Sequence, residues 1–246
     1  MALRLRHAAL LAGLWLASGV AAAGGLQVSP VSLTLAASQN AEGLWLSNTG
    51  DNGVNAQVRV YRWTQEGGED KLTPSRGLVI SPPMLQLAAG DRQLVRAIRL
   101  GAPPSGPGAA QEAYRMIIDE LPVDTAGKKG VQFVLRYSVP VFVEPAGAAA
   151  APAQLSWAIR REGDKPMLEV ANSGGTHAQL ANLSFTDAAG HRTELTPGLL
   201  GYVLPGAQMR WALKPAAKVF AGGGTLETMV NGQTVQQKIS LVDSPR

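Results

Sequence analysis

Apolar residues in this chain recur at every second position, and no segment shows the helical three-to-four spacing with capping residues. In "VRVYRW", Val58, Val60 and Arg62 point one way and Arg59, Tyr61 and Trp63 the other. Similar stretches follow one another: "LQVSPVSLTL", "GLWLSNTG", "VNAQVRVYRWTQ", "LVISPPMLQL", "RQLVRAIRL", "AYRMIIDELP" and "VQFVLRYSVPVFVEP". Between them lie "GDNG", "EGGED", "AAGD" and "APPSGPG", which are turn and loop chemistry. Short strands with turns at regular spacing predict an immunoglobulin-like sandwich.

The pattern then breaks at "PAGAAAAPAQ", Pro145 to Gln154, which has no charge and no apolar period. Bracketed by prolines, it reads as a semi-rigid linker. Strand patterns resume beyond it in "LSWAIRREG", "MLEVANSG", "QLANLSFTD", "MRWALKP", "GTLETMV" and "TVQQKISLV". Asn231-Gly232 between alternating residues predicts a tight hairpin. The expectation is an all-β protein of two immunoglobulin-like domains, residues 24–147 and 148–246. Residues 1–23 read as a signal peptide: Arg4 and Arg6, then the short apolar run "AALLAGLWLA", then small residues near Ala23. That run is too short to span a bilayer as a helix, so an exported protein not embedded in a membrane is expected.

Several functions are disfavoured by composition. Without the leader, 20 basic residues face 18 acidic ones, a balance unlike the concentrated basic patch of a nucleic-acid binder. The chain has no cysteine, so it offers neither disulfides nor thiolate metal ligands. Beyond the leader only His177 and His191 remain, both in turn-like stretches, and they read as solvated loop residues without a third metal ligand. The acids Asp119 and Glu120 are adjacent on a strand and point to opposite faces, so they cannot flank one substrate bond. No catalytic constellation, cofactor motif or metal set is found.

Arginine on strands is the remaining concentration. Arg92, Arg96 and Arg99 read as lining a solvated edge or face. Arg115 in "YRMII" and Arg136 in "VLRYSV" sit inside apolar runs and need an anionic partner. Two partners fit: an internal carboxylate such as Asp119 or Glu120, or an external one held by the planar guanidinium fork. The strand from Val131 raises a related question. Its row Val131, Phe133, Leu135, Tyr137 and Val139 is apolar, and Val134 adds apolar character to the opposite face.

Taken in order, "VSPVSLTL", "LWLSNTGD", "VRVYRWTQEGGED", "ISPPMLQLAAGDRQLVRAIRL", "YRMIIDELP" and "LRYSVPVFVEP" resemble the periplasmic pilus-assembly chaperones of chaperone–usher systems. "YRMIIDELP" and "RYSVPVFV" are most similar to the archaic branch. The resemblance implies two domains set as a boomerang, no enzymatic activity and no cofactor. It also implies a periplasmic location and one-to-one complexes with pilin subunits, delivered to an outer-membrane usher. A subunit lacking its last strand would take the chaperone's G strand, here through Val131, Phe133 and Leu135 with Tyr137.

The sequence departs from the family's better-known pattern at two places. Ser32 and Ser138 stand where that pattern has the basic pair that anchors the subunit's terminal carboxylate, which leaves Arg115 and Arg136 as relocated candidates. Glu120 matches an acid of an interdomain ion pair, but Glu144 replaces its basic partner, so Arg160, Arg161 or another base would have to compensate. The competing expectation is a secreted β-sandwich adhesion or carbohydrate-binding module. It would need exposed aromatic platforms, whereas Trp45, Trp63, Trp157 and Trp211 lie in strand patterns expected to be core.

Overall fold

The computed structural model describes residues 25–122, 134–147 and 149–243. Ten strands precede the linker: β1 (Leu26–Ser29), β2 (Leu33–Leu35), β3 (Ala41–Asn48), β4 (Val54–Glu66), β5 (Glu69–Pro74), β6 (Leu78–Ser81), β7 (Met84–Leu87), β8 (Arg92–Arg99), β9 (Glu112–Leu121) and β10 (Arg136–Val143). They form two sheets, one in the order β1-β3-β8-β6 and the other β2-β10-β9-β4-β5, with β7 also pairing β4. Alternation decides the packing: Leu44 and Leu46, Val58, Val95 and Ala97, Met116 and Ile118, Val139 and Val141 all turn into one buried core between these sheets.

Eight strands follow: β11 (Leu155–Glu162), β12 (Lys165–Asn172), β13 (Ala178–Asp187), β14 (Arg192–Val203), β15 (Gln208–Ala212), β16 (Gly224–Val230), β17 (Gln233–Ile239) and β18 (Leu241–Asp243). Their sheets run β15-β12-β11-β18 and β14-β13-β16-β17 around a second core that includes Ile159, Leu168, Phe185 and Phe220. Asn231 and Gly232 join β16 to β17 with φ of 49° and 83°, the left-handed pair a two-residue hairpin requires.

Both sandwiches close one end with the same device. Asn48, at the end of β3, donates from its buried amide to the carbonyls of Asn52, Leu87 and Ala88. Asn172, at the end of β12, donates to the carbonyls of Thr176 and Val203. Each buried amide satisfies carbonyls of loops and strand ends.

A third, smaller apolar cluster joins the two domains: Trp63, Ala113 and Phe142 from the first meet Tyr202 and Leu204 from the second. The expectation that all four tryptophans are core therefore needs correction. Trp63 is 1% exposed but lies between domains, because the alternation of β4 puts it on the face opposite Val58 and Val60. Trp157 and Trp211 do pack on the second core, whereas Trp45 is 39% exposed and carries Arg92, whose guanidinium carbon lies 3.9 Å from the ring centre.

Candidate functional site

The outward face of β4, β9 and β10 is ruled into rows by strand register. Next to the interdomain cluster comes Tyr61, Arg115 and Pro140, then Arg59, Ile117 and Ser138, then Gln57, Asp119 and Arg136. The two arginines singled out from sequence therefore share a face but not a setting.

Arg136 has an internal partner. Its Nε and the Nη2 of Arg59 both donate to the carboxylate of Asp119. Burial alone would raise the Asp119 carboxyl, but hydrogen bonds from Arg136 and Arg59 outweigh it and hold the group below the usual carboxylate range. Glu120 points the other way and accepts from the backbone N–H of Leu135 at 3.3 Å.

Arg115 has aromatic faces instead. Its guanidinium carbon lies 3.7 Å from the Trp63 ring centre and 5.1 Å from that of Tyr202. Among the described residues no carboxylate forms an ion pair with it, and its Nη1 makes only a long contact, 3.4 Å, to the carbonyl of Ser138. Burial pushes its pKa down, against the pull of Asp70 and Tyr202. It is a partly desolvated cation with N–H groups to spare, beside the row that holds Ser138. Ser32 is exposed just before β2, which runs parallel to β10.

β10 leaves half of one edge open. β2 pairs only with Val141, Phe142 and Val143, so Arg136 to Pro140 have no strand on that side among the described residues. The Glu120 N–H donates to the Leu135 carbonyl, and the Glu144 N–H to the Leu35 carbonyl, each at 2.9 Å. Odd residues of this strand therefore bond to β9, while the backbone groups of Arg136 and Ser138 point away from it. Of the expected donor residues, Val131 and Phe133 lie outside the described residues. Leu135 is 42% exposed, although its alternation matches that of core residues. Tyr137 turns into the first core, and its hydroxyl donates to the carbonyl of Leu26.

Amides and rings join the two domains. Glu120 and Glu144 lie at opposite ends of the β9–β10 ladder and do not face each other. Gln65 donates to the Tyr202 carbonyl at 2.9 Å and accepts from the Leu204 N–H at 2.8 Å, as a strand neighbour would. Glu144 accepts from Gln111 at 2.6 Å. Arg160 pairs with Glu169 inside its own domain and does not compensate across the hinge.

His177 is not a solvated loop residue. Its ring stacks on Phe142 with centroids 3.6 Å apart and planes 2° from parallel, and its Nδ1 is 2.6 Å from the Gln111 Oε1. That oxygen also accepts from the His177 backbone N–H, so Nδ1 is the donor of this pair. Burial pushes its pKa down to about 4. A turn-like sequence conceals this because the ring's partners lie at positions 111 and 142, in the other domain. The same is true of Trp63, Gln65 and Tyr202, none of which sequence alone marked as hinge residues. The displaced parity of Trp63 was the one available signal.

Among the described residues no group of three or more potential metal ligands occurs. No described helix is long and apolar enough to cross a membrane.

Comparison with known proteins gives this geometry its context. Searched against curated proteins, the sequence has no match. Among solved structures, one similar chain is the chaperone in the CsuC–CsuE chaperone–tip subunit complex from the archaic chaperone–usher Csu pili of Acinetobacter baumannii. It is 23% identical, with a TM-score of 0.69, over 88% of this chain and 99% of that one. The E. coli chaperone DraB is 18% identical with a TM-score of 0.58, over 87% and 97%. The Salmonella enterica SafA pilin–SafB chaperone complex gives 17% and 0.60, over 87% and 96%. These likenesses carry the two-sandwich fold. Residues 25–149 match the family described as pili and flagellar-assembly chaperone, PapD N-terminal domain. That match spans half of the 246 residues and includes the whole of β1 to β10, and by it the chain belongs to the family of pilus-assembly chaperones.

Proposed function

We propose that this pilus-assembly chaperone captures pilin subunits one to one by lending them the open edge of β10, and that it passes them to an outer-membrane usher. The observation that carries the reading is the edge itself: Arg136 to Pro140 have, among the described residues, no strand on the side away from β9, beside an exposed Leu135 whose alternation matches core residues. An incomplete sandwich that lacks its last strand offers the complementary groove, with main-chain pairing for affinity and alternating side chains for register. Similar chaperones have been solved with a tip subunit and with a pilin. Val131, Phe133 and Leu135 are the side chains we assign to the subunit's core, each contributing about 1.5–3 kcal/mol when fully buried. Tyr137 serves the chaperone's own core at the root of the donor strand.

Arg115 is our candidate for the anchor of the subunit's terminal carboxylate, supported by its partly desolvated guanidinium, which lies beside Ser138 and has no ion-pair partner among the described residues. Arg136, already bound to Asp119, is better supported as an element that stiffens the outer row. Action in the periplasm follows the family, with residues 1–23 removed as a signal peptide and domains spanning 24–147 and 148–246. Co-expression with pilin-like proteins encoded beside this chain tests the reading. A one-to-one periplasmic complex is expected, lost in Leu135→Asp and Phe133→Asp. Failure to recover a complex with any such neighbour contradicts it.

A further inference from the structure

Tyr202 reaches the Arg115 site from the other domain. Its ring meets that of Trp63 edge-on, with centroids 5.4 Å apart and planes at 82°. The Arg115 guanidinium carbon lies within 5.1 Å of both ring centres, so it sits in a corner with one wall from each domain. Tyr202 is held at both ends: its carbonyl accepts from Gln65 of the first domain, and its hydroxyl accepts from Gln179 at 3.1 Å. It is 8% exposed, so this wall is as fixed as a core residue.

An arginine stem has several rotatable bonds, and a single flat ring lets the guanidinium slide or turn across it. Among the described residues no carboxylate fixes Arg115, so a second ring set across the first is what restricts it. The fork geometry that makes arginine selective for carboxylates works only if its N–H groups are aimed.

We propose that Tyr202 is a positioning residue for Arg115. Through it the second domain aims the guanidinium and so sets how strongly a chain end bearing a carboxylate is preferred over one without. The inference rests on the reading of Arg115 as the anchor. It also makes capture of a chain end depend on hinge geometry, since Gln65 fixes Tyr202 across the domain boundary.

The test uses a synthetic peptide of alternating valine and threonine, about 14 residues long and made either with a free carboxylate or as its terminal amide. Dissociation constants of both forms are measured for the parent, Arg115→Gln, Tyr202→Phe and Tyr202→Leu, with thermal midpoints alongside. The parent is expected to prefer the acid by about tenfold or more, and Arg115→Gln to abolish that preference. Tyr202→Phe keeps the ring and the preference. Tyr202→Leu reduces the preference to about threefold while its affinity for the amide stays at the parental value.

If Tyr202→Leu keeps the parental acid-to-amide ratio while Arg115→Gln loses it, the positioning role is overturned and the anchor stands. If Tyr202→Leu weakens both peptides alike, the residue is merely structural and the inference is likewise overturned. A parental ratio in Arg115→Gln overturns the anchor itself.

Discussion

Arg115 holds its guanidinium 3.7 Å from the ring centre of Trp63, and among the described residues no carboxylate shares it. Arg136, two rows away on the same face, is tied to Asp119. The contrast separates two residues that look equivalent in sequence. Replacing Arg115 by Met should leave stability within about 1 kcal/mol of the parent, because a desolvated and unpaired charge is removed. Subunit capture should weaken by about tenfold or more, read as complex yield against subunit concentration. A variant that captured normally would free Arg115 of any role in binding.

Asp119→Asn makes the opposite prediction. It strips Arg59 and Arg136 of their shared charge, and both are substantially exposed, so the loss should be about 1 kcal/mol and should shrink in high salt. The Asp119 carboxyl is held below its ordinary value, so its contribution is complete above about pH 4 and is lost as pH falls through the lower folded value. Denaturant midpoints of parent and variant should therefore converge below pH 4 and differ at pH 7.

His177 gives the hinge its own acid sensitivity. Its pKa is depressed from 6.5 to about 4 by burial, so the folded state favours the neutral ring. The stabilisation is complete above pH 6.5 and is lost as pH falls through about 4, a difference of about 3 kcal/mol at most. Thermal midpoints measured between pH 7 and pH 4 should fall in the parent and flatten in His177→Gln. Parallel curves would place the acid sensitivity elsewhere.

Gln65→Ala removes one side chain and orphans two backbone groups, the Tyr202 carbonyl and the Leu204 N–H. Each buried group left unpaired costs about 1–3 kcal/mol. The cores of both sandwiches are untouched, so the loss should appear at the domain boundary. Small-angle scattering should show a broader distribution of interdomain distances, with circular dichroism unchanged.

Much of the fold was legible because strand alternation is a local signal. The alternation of Val58 and Val60 marked one face of a strand, which the structure turns into the core, and Asn231-Gly232 declared a hairpin with the backbone angles it needs. The hinge was not legible, because its contacts pair residues far apart in sequence. Gln65 meets Tyr202 across 137 positions, and His177 meets Gln111 across 66. Nor could sequence divide Arg115 from Arg136: an internal carboxylate and an external one demand the same residue type, and only register shows that Asp119 lies opposite Arg136.

Amide exchange on the donor strand decides whether β10 is lent to a subunit. The N–H groups of Arg136 and Ser138 point to the open edge and should exchange rapidly in the free chaperone. In a purified one-to-one subunit complex they should become protected, while Tyr137 and Val139, already bonded to β9, change little. Rapid exchange of Arg136 and Ser138 persisting in the complex would contradict donation of this strand.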